Sequence, residues 1–308
     1  MKKIKSKTVI KSFLKRLLYP RHFAKYIRLS KKRKSPSRAE LDTQLKLYAE
    51  ILPGDFLHYG YFENPDVKPE NIALADIQQA QLRYAERIVD GVKNKNTPVL
   101  DVGCGTGGLI NLLLQKGHKV VGLTPDRYQV QYIQQKYPDA ELIHNKFQNI
   151  DSEKYAQNFG TVINSESLQY IKPEKAFELV DKILQPGGRW IIVDYFRTDV
   201  AHEKSGHKWK QFTELVKNYK FSTLEEYEIT SNIYPTLAFI HMWGEKLGLP
   251  LFEFLVGKLK RKSPKLHYLL DEILSDFHAM AKEKLEIVNP ETFIRNKKYM
   301  FIILEKPE

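Results

Sequence analysis

One ten-residue segment constrains this chain more than any other: Val99-Leu100-Asp101-Val102-Gly103-Cys104-Gly105-Thr106-Gly107-Gly108. A short apolar run enters glycines at every second position, and a helical pattern opens near Leu109. Glycine is needed where a strand turns sharply into a helix and where a ligand must reach bare backbone. On its own, G-x-G-x-G is shared by nucleotide-binding folds of several kinds. The neighbouring residues narrow it. A dinucleotide fingerprint spaces its glycines as G-x-G-x-x-G and has no need of an acid inside the strand. Here Asp101 stands two residues before the first glycine, placed to order the loop and to accept hydrogen bonds near an ammonium group. The Gly-Lys-Ser/Thr ending of a phosphate-binding loop is absent.

Around this segment, short apolar runs alternate with amphipathic stretches. The candidate strands are 98–102, 119–123, 141–144, 161–164 and 189–194, followed by 224–230 and 299–305. Strands alternating with helices predict a parallel, doubly wound sheet. Pro186-Gly187-Gly188 marks a turn before the fifth strand. Helical patterns cover 38–51 and 72–92, and a long helical insertion begins near Ile233. The 308 residues suit one large α/β domain with insertions, and 42% hydrophobic residues suffice for a buried core. A single cysteine, Cys104, excludes an intrachain disulfide. Without a run of 18 apolar residues, no membrane span is expected.

The net charge of +12 is concentrated at one end. Residues 1–38 carry fifteen Lys and Arg and no acid, leaving 34 basic and 37 acidic groups elsewhere. Nucleic acid is therefore not an expected partner of the main body. Within the arm, Val9, Ile10, Phe13, Leu14, Leu17 and Leu18 recur at helical spacing among lysines and arginines. That pattern suits an anionic membrane surface, a targeting segment, or an ordinary packed first helix.

The glycine segment resembles motif I of class I S-adenosylmethionine-dependent methyltransferases. The resemblance continues at Val120-Val121-Gly122-Leu123-Thr124-Pro125-Asp126-Arg127-Tyr128-Gln129. Most members of the superfamily hold the ribose hydroxyls with an acid after the second strand; this chain has Thr124. Gly-hydrophobic-Thr with Gln five residues on resembles the subgroup of cyclopropane fatty acid synthases and tocopherol methyltransferases. His58-Tyr59-Gly60-Tyr61-Phe62-Glu63, Ala80-Gln81, Asn164-Ser165-Glu166-Ser167-Leu168-Gln169-Tyr170-Ile171 and Leu184-Gln185-Pro186-Gly187-Gly188-Arg189 fit the same subgroup. The likeness covers about residues 56–200 and excludes the basic arm. It implies a Rossmann-like seven-stranded sheet with an antiparallel last strand, an N-terminal helical cap over 38–92 and a helical lid insertion at about 233–295. The expected organisation is thus a 1–38 arm and a 39–308 catalytic domain.

The same resemblance implies S-adenosylmethionine as cofactor, contacted by His58, Tyr59, Gly60, Asp101, Gly103, Gly105, Gly107, Thr124, Gln129, Phe147 and Gln148. Aromatic faces attract a sulfonium cation by roughly 0.5–2 kcal/mol each, which favours Tyr59, Tyr61 and Phe147 as lining residues. No metal site is expected. Gln169 and Tyr170 replace the Glu and His of the subgroup motif, so plain methyl transfer is expected rather than ring formation. Candidate catalytic residues are His207, as general base, with Tyr170 and Glu166; Glu166 is equally readable as a helix cap. An apolar run, Leu251–Val256, precedes Lys258, Lys260, Arg261, Lys262 and Lys265. It suits a hydrophobic or lipid-like acceptor, or else a packed helix with a solvated basic end. The expectation is a cytoplasmic methyltransferase, peripheral at a membrane, acting on a small hydrophobic or lipid-like substrate. The alternatives are methylation of a soluble amine or phenol, and a catalytically silent cofactor-binding scaffold at a membrane.

Overall fold

A computed structural model describes residues 19–21, 24, 54–198 and 205–308. Apart from residues 19–21 and 24, the basic arm lies outside the described residues, as does the helix expected at 38–51. Two compact units are present. Of the described residues, one takes in 54–242 together with Ile287–Glu308, and the other takes in 19–21 and 24 together with Trp243–Glu286.

The first unit is built on a sheet. Its strands are β1 (Val99–Val102), β2 (Val120–Thr124), β3 (Glu141–His144), β4 (Phe159–Ser165), β5 (Leu184–Arg197), β6 (His207–Lys208), β7 (Ser222–Glu228) and β8 (Lys297–Glu305). The order is β3-β2-β1-β4-β5-β8-β7. Strands β1 to β5 run parallel, and β8 is antiparallel to both β5 and β7. This is the Rossmann-like sheet with an antiparallel last strand that the sequence implied. An eighth strand is added: the two-residue β6 pairs with Phe196 and Arg197 of β5, beyond the last β4 pairing at Val193. Strand order reverses between β1 and β4, so the carboxyl ends of these neighbours border the crevice where such sheets hold ligands.

The helices are α1 (Leu74–Asp90), α2 (Gly108–Gln115), α3 (Arg127–Lys136), α4 (Pro173–Ile183), α5 (Trp209–Asn218), α6 (Thr230–Trp243), α7 (Leu249–Lys262), α8 (Pro264–Ile287) and α9 (Pro290–Asn296). Alternating strand residues sort onto two cores, as a period of two requires. Leu100, Val102, Val121 and Leu123 join Phe177 and Val180 of α4 and Phe212 of α5. Val99, Val120, Ile163 and Ile191 join Ile88 of α1, Leu109 and Leu113 of α2, and Ile233 and Leu237 of α6. Each fully buried side chain of this size contributes roughly 1.5–3 kcal/mol. Local chemistry sets the helix starts. Asp126 caps α3 by accepting from the Gln129 backbone N–H at 3.0 Å. Asn289 caps α9 and Pro290 occupies its first position.

Strand β5 is longer than its apolar run. The sequence pattern places this strand at 189–194. Pairing with β8 carries the strand to Arg197, opposite Lys297. The ladder is made by residues about a hundred positions away, so no local pattern announces it.

The second unit is a helical hairpin of α7 and α8, with a π-helical turn at Gly244–Gly248. Phe252 packs on Phe277 with ring centroids 5.2 Å apart. A Cβ at Gly244 would meet the Leu285 side-chain tip at 2.3 Å, so the two packed segments approach closely there. Leu247, Leu251, Phe254 and Leu255 are exposed along one run, and exposed Lys258, Lys260, Arg261, Lys262 and Lys265 follow at the tip.

Candidate active site

A cavity of about 480 Å³ opens at the carboxyl ends of β1, β2 and β4. Its floor is the glycine loop. Gly103 and Gly105 have φ of +80° and +56°, the left-handed region that favours glycine. A Cβ on Gly103 would meet that of Ser167 at 2.6 Å. The Gly103 N–H donates to the Leu123 carbonyl at 2.7 Å, tying the loop to the end of β2. Asp101 is 2% exposed, and its Oδ2 has no hydrogen-bond partner among the described residues. Burial pushes the Asp101 carboxyl up to about 7.

The segment from Asp55 to Phe62 forms a strap along the glycine loop. The Asp55 carbonyl accepts from the Gly108 N–H at 3.1 Å and the Thr106 hydroxyl at 2.8 Å. Its carboxylate takes the Tyr137 hydroxyl at 2.5 Å and pairs with Lys136. The Gln81 side-chain amide donates to the carbonyls of Phe56 and His58. Gly60 lies so close to α1 that a Cβ there would meet that of Ala80 at 2.6 Å. His58 stacks on Tyr84 with centroids 4.1 Å apart, and its Nδ1 lies 2.8 Å from the Tyr59 carbonyl oxygen. A carbonyl only accepts, so Nδ1 carries the proton and Nε2 is left as a bare acceptor. That Nε2 is buried without a partner among the described residues. Burial lowers the ring to about 4, so it is neutral at physiological pH.

At the end of β2, Thr124 and Gln129 are both buried on the cavity wall. The Thr124 hydroxyl donates to Gln129 Oε1 at 2.5 Å and accepts from the Asp126 N–H at 3.2 Å. Oε1 being engaged, the amide nitrogen of Gln129 is the atom left to donate. Phe147 is 2% exposed, and Gln148 donates to the Tyr170 carbonyl at 3.2 Å; both line the cavity.

At the end of β4 stands Glu166, with φ of +50°, a strained conformation for a residue with a side chain. Its backbone N–H donates to the Val193 carbonyl at 2.9 Å. Its Oε1 accepts from the Tyr299 hydroxyl at 2.6 Å and the Tyr59 N–H at 3.0 Å. Burial pushes this carboxyl up to about 7, against the lowering effect of the two donors. Behind it, the Tyr84 hydroxyl lies 3.0 Å from that of Tyr299 and 3.2 Å from Ser165 Oγ.

The cavity therefore gathers His58, Asp101, Gly103, Gly105, Thr124, Gln129, Phe147, Gln148, Glu166 and Tyr170 from the expected set. The remaining four are outside its lining. Tyr59 and Gly60 hold the strap, through the bond to Glu166 and a bond to Thr236 Oγ1. Gly107 precedes α2 as its N-cap in the left-handed conformation. His207 stands on β6 with Nε2 2.9 Å from the Leu168 carbonyl oxygen. Tyr61, expected as a lining residue, stacks instead under Arg87. Tyr84, Tyr299 and the Asp55 clasp are absent from the expected set, because no motif marks them.

The site has the chemistry of S-adenosylmethionine. A buried acceptor without a partner among the described residues stands at the β1 end, bare glycine backbone forms the floor, and the polar pair Thr124 and Gln129 lies at the end of β2. This is a class I Rossmann-like methyltransferase fold. Residues 100–192 match the family model described as "Methyltransferase domain". An O-methyltransferase of Pyrenophora dematioidea is 25% identical over 234 residues, 68% of this chain and 84% of that protein. The chloroplastic tocopherol O-methyltransferase of Arabidopsis thaliana is 30% identical over 182 residues, spanning 54% of this chain and about half (51%) of that one. Among solved structures, geranyl diphosphate C-methyltransferase from Streptomyces coelicolor A3(2) superimposes with a TM-score of 0.57. Its identity is 14%, covering 86% of this chain and 91% of that one. The chain binds S-adenosylmethionine and is an S-adenosylmethionine-dependent methyltransferase.

Proposed function

We propose that the protein methylates a hydrophobic, lipid-like acceptor that loses a proton as it reacts, with Glu166 receiving that proton. The observation that carries this reading is the Glu166 carboxylate: buried on the cavity wall, held in a strained backbone and pushed up to about 7. A base of that strength is matched to physiological pH. Bound S-adenosylmethionine supplies a methyl group on a sulfonium. As the acceptor's X–H atom bonds to the methyl carbon, the carbon–sulfur bond breaks with its electron pair going to sulfur. The acceptor's proton passes to Glu166. Much of the acceleration comes from holding acceptor, methyl and sulfur in line.

In this reading Asp101 faces the cofactor's ammonium, Thr124 and Gln129 its ribose hydroxyls, and Phe147 its adenine. His207, bonded to a backbone carbonyl off the cavity, has no catalytic part. Hydrophobic acceptors are supported by the apolar wall at Phe56, Leu57, Leu109 and Ile171, and by the likeness to a tocopherol enzyme. The exposed apolar run and basic tip of the hairpin suit an acceptor that resides in lipid. The test is a methyl-release assay offering total lipid extract alongside soluble phenols and amines. Transfer into the lipid fraction is expected, and Glu166→Gln should remove it. Transfer to soluble amines alone would overturn the acceptor class.

A further inference from the structure

Glu166 is not held by its own neighbourhood. Its single well-bonded oxygen, Oε1, takes one donor from the strap and one from the last strand of the sheet. The Tyr299 hydroxyl has a single proton, and at 2.6 Å that proton goes to the carboxylate. In its 3.0 Å contact with Tyr84 it can only accept, and the one Tyr84 proton is shared between that oxygen and the Val193 carbonyl at 3.3 Å. Both phenols are fully buried, and burial keeps both well above their ordinary range, so they remain donors at any physiological pH. Tyr84 is fixed in turn by the His58 ring stacked on it and by Ser165.

We infer that Tyr299 is the positioning residue of this active site: its hydroxyl holds the Glu166 carboxylate at the cavity wall, and Tyr84 holds that hydroxyl. This rests on the reading of Glu166 as the base and deepens it. The two phenols come from α1 and β8, which have no part in the glycine loop. A carboxylate with two donors on one oxygen keeps its other oxygen for the acceptor. Losing Tyr299's donor would free the carboxylate to rotate and make it a stronger holder of its proton.

Other ionisable groups face this one. Asp194 on β5 is 1% exposed and is also pushed up to about 7, chiefly by burial and in smaller part by Glu166 itself. Among the described residues Tyr195 of β5 also feels Glu166. Asp194 accepts from the backbone N–H groups of Tyr195 and Gln169, and it does not line the cavity. Its titration must be told apart from that of Glu166.

The experiment is a set of kcat–pH profiles from pH 5 to 9 on full-length wild type, Glu166→Gln, Tyr299→Phe and Tyr84→Phe. Cofactor affinity is measured alongside by calorimetry. Wild type should lose activity below about 7. Glu166→Gln should erase that limb, and Tyr299→Phe should move it up by about one pH unit with cofactor affinity unchanged. Tyr84→Phe should move it the same way by less. If Glu166→Gln keeps a limb near 7, the base reading fails and takes this inference with it. If the limb vanishes in Glu166→Gln but stays at its wild-type position in Tyr299→Phe, the base stands and the positioning role is overturned. Should Tyr299→Phe not fold, Tyr84→Phe decides by the same criterion.

Discussion

At the β1–β2 end of the cavity the lining from residues 101–129 is largely glycine backbone, with the side chains of Asp101, Thr124 and Gln129. At the β4 end the lining residue Glu166 is held by a network drawn from residues 59, 84 and 299. The first end is specified by φ angles: Gly103, Gly105 and Gly107 are all left-handed. The second is specified by tertiary contacts across up to 215 positions of chain. A contiguous loop fixes where a common cofactor sits. A network assembled from distant elements can be rebuilt without disturbing that loop, which is how one fold serves many acceptors. The two ends should therefore fail independently.

The largest effect should come from filling the backbone end. Gly105→Arg places a long side chain at φ +56°, where a Cβ faces Leu57 at 3.6 Å across the cavity mouth. Calorimetry with S-adenosylmethionine should then show no heat at all, while the circular dichroism spectrum stays that of a folded α/β protein. Retained binding would show that the loop is not the cofactor floor. Next in size is the network end. Glu166→Gln should lower kcat by about 10²–10⁴-fold, the usual contribution of a positioned base. Its cofactor affinity should stay within about threefold of wild type, and a large loss there would mean that the two ends are one coupled unit.

Asp101 gives a smaller effect with its own signature. In the free protein burial holds it at about 7, so near pH 7 it carries about half a proton. An arriving ammonium favours the charged form, so the folded pKa falls and the proton leaves. Calorimetry at pH 7 in buffers of different ionisation enthalpy should show release of about half a proton on binding. Asp101→Asn should abolish that release and weaken binding about tenfold, the loss of a charge-assisted bond replaced by a neutral one. Proton uptake, or no buffer dependence, would remove Asp101 from the cofactor's ammonium.

The same contrast separates what is legible in the amino-acid sequence from what is not. The antiparallel last strand follows from the family resemblance, and the alternation of strands and helices and the glycine loop follow from local signals: glycines at alternate positions, an acid two before them, and Thr124 and Gln129 five apart. Each lies within a stretch that one periodicity describes. Tyr84 and Tyr299 carry no such signal. In sequence they are an aromatic on the buried face of a helix and an aromatic near the start of a strand, both ordinary core positions. Only pairing of β8 with β5 brings Tyr299 beside Glu166. His207 shows the converse. A histidine in a turn-rich stretch reads as a base, yet β6 pairs with β5 and gives its ring to the Leu168 carbonyl. Strand β5 runs past its predicted end for the same reason, since its ladder partner is remote.

The smallest and sharpest prediction concerns the polar pair at the end of β2. Thr124 and Gln129 are bonded to each other, so neither acts alone. Removing the hydroxyl in Thr124→Ala frees Gln129 Oε1 and takes the acceptor from the Asp126 N–H. Removing the amide in Gln129→Ala leaves Thr124 without its acceptor. Each substitution should weaken S-adenosylmethionine binding by about 1 kcal/mol, roughly fivefold. Because both break the same bond, the double variant should cost less than the two losses combined, by about 0.5 kcal/mol or more. Strict additivity would mean that the two residues contact the cofactor separately and that their mutual bond forms only in its absence. No loss in either would detach this pair from the ribose and leave the glycine loop and Asp101 to read the cofactor at this end. In every case kcat at saturating cofactor should hold near wild type, because the bonds that hold Glu166 and those that hold this pair have no residue in common.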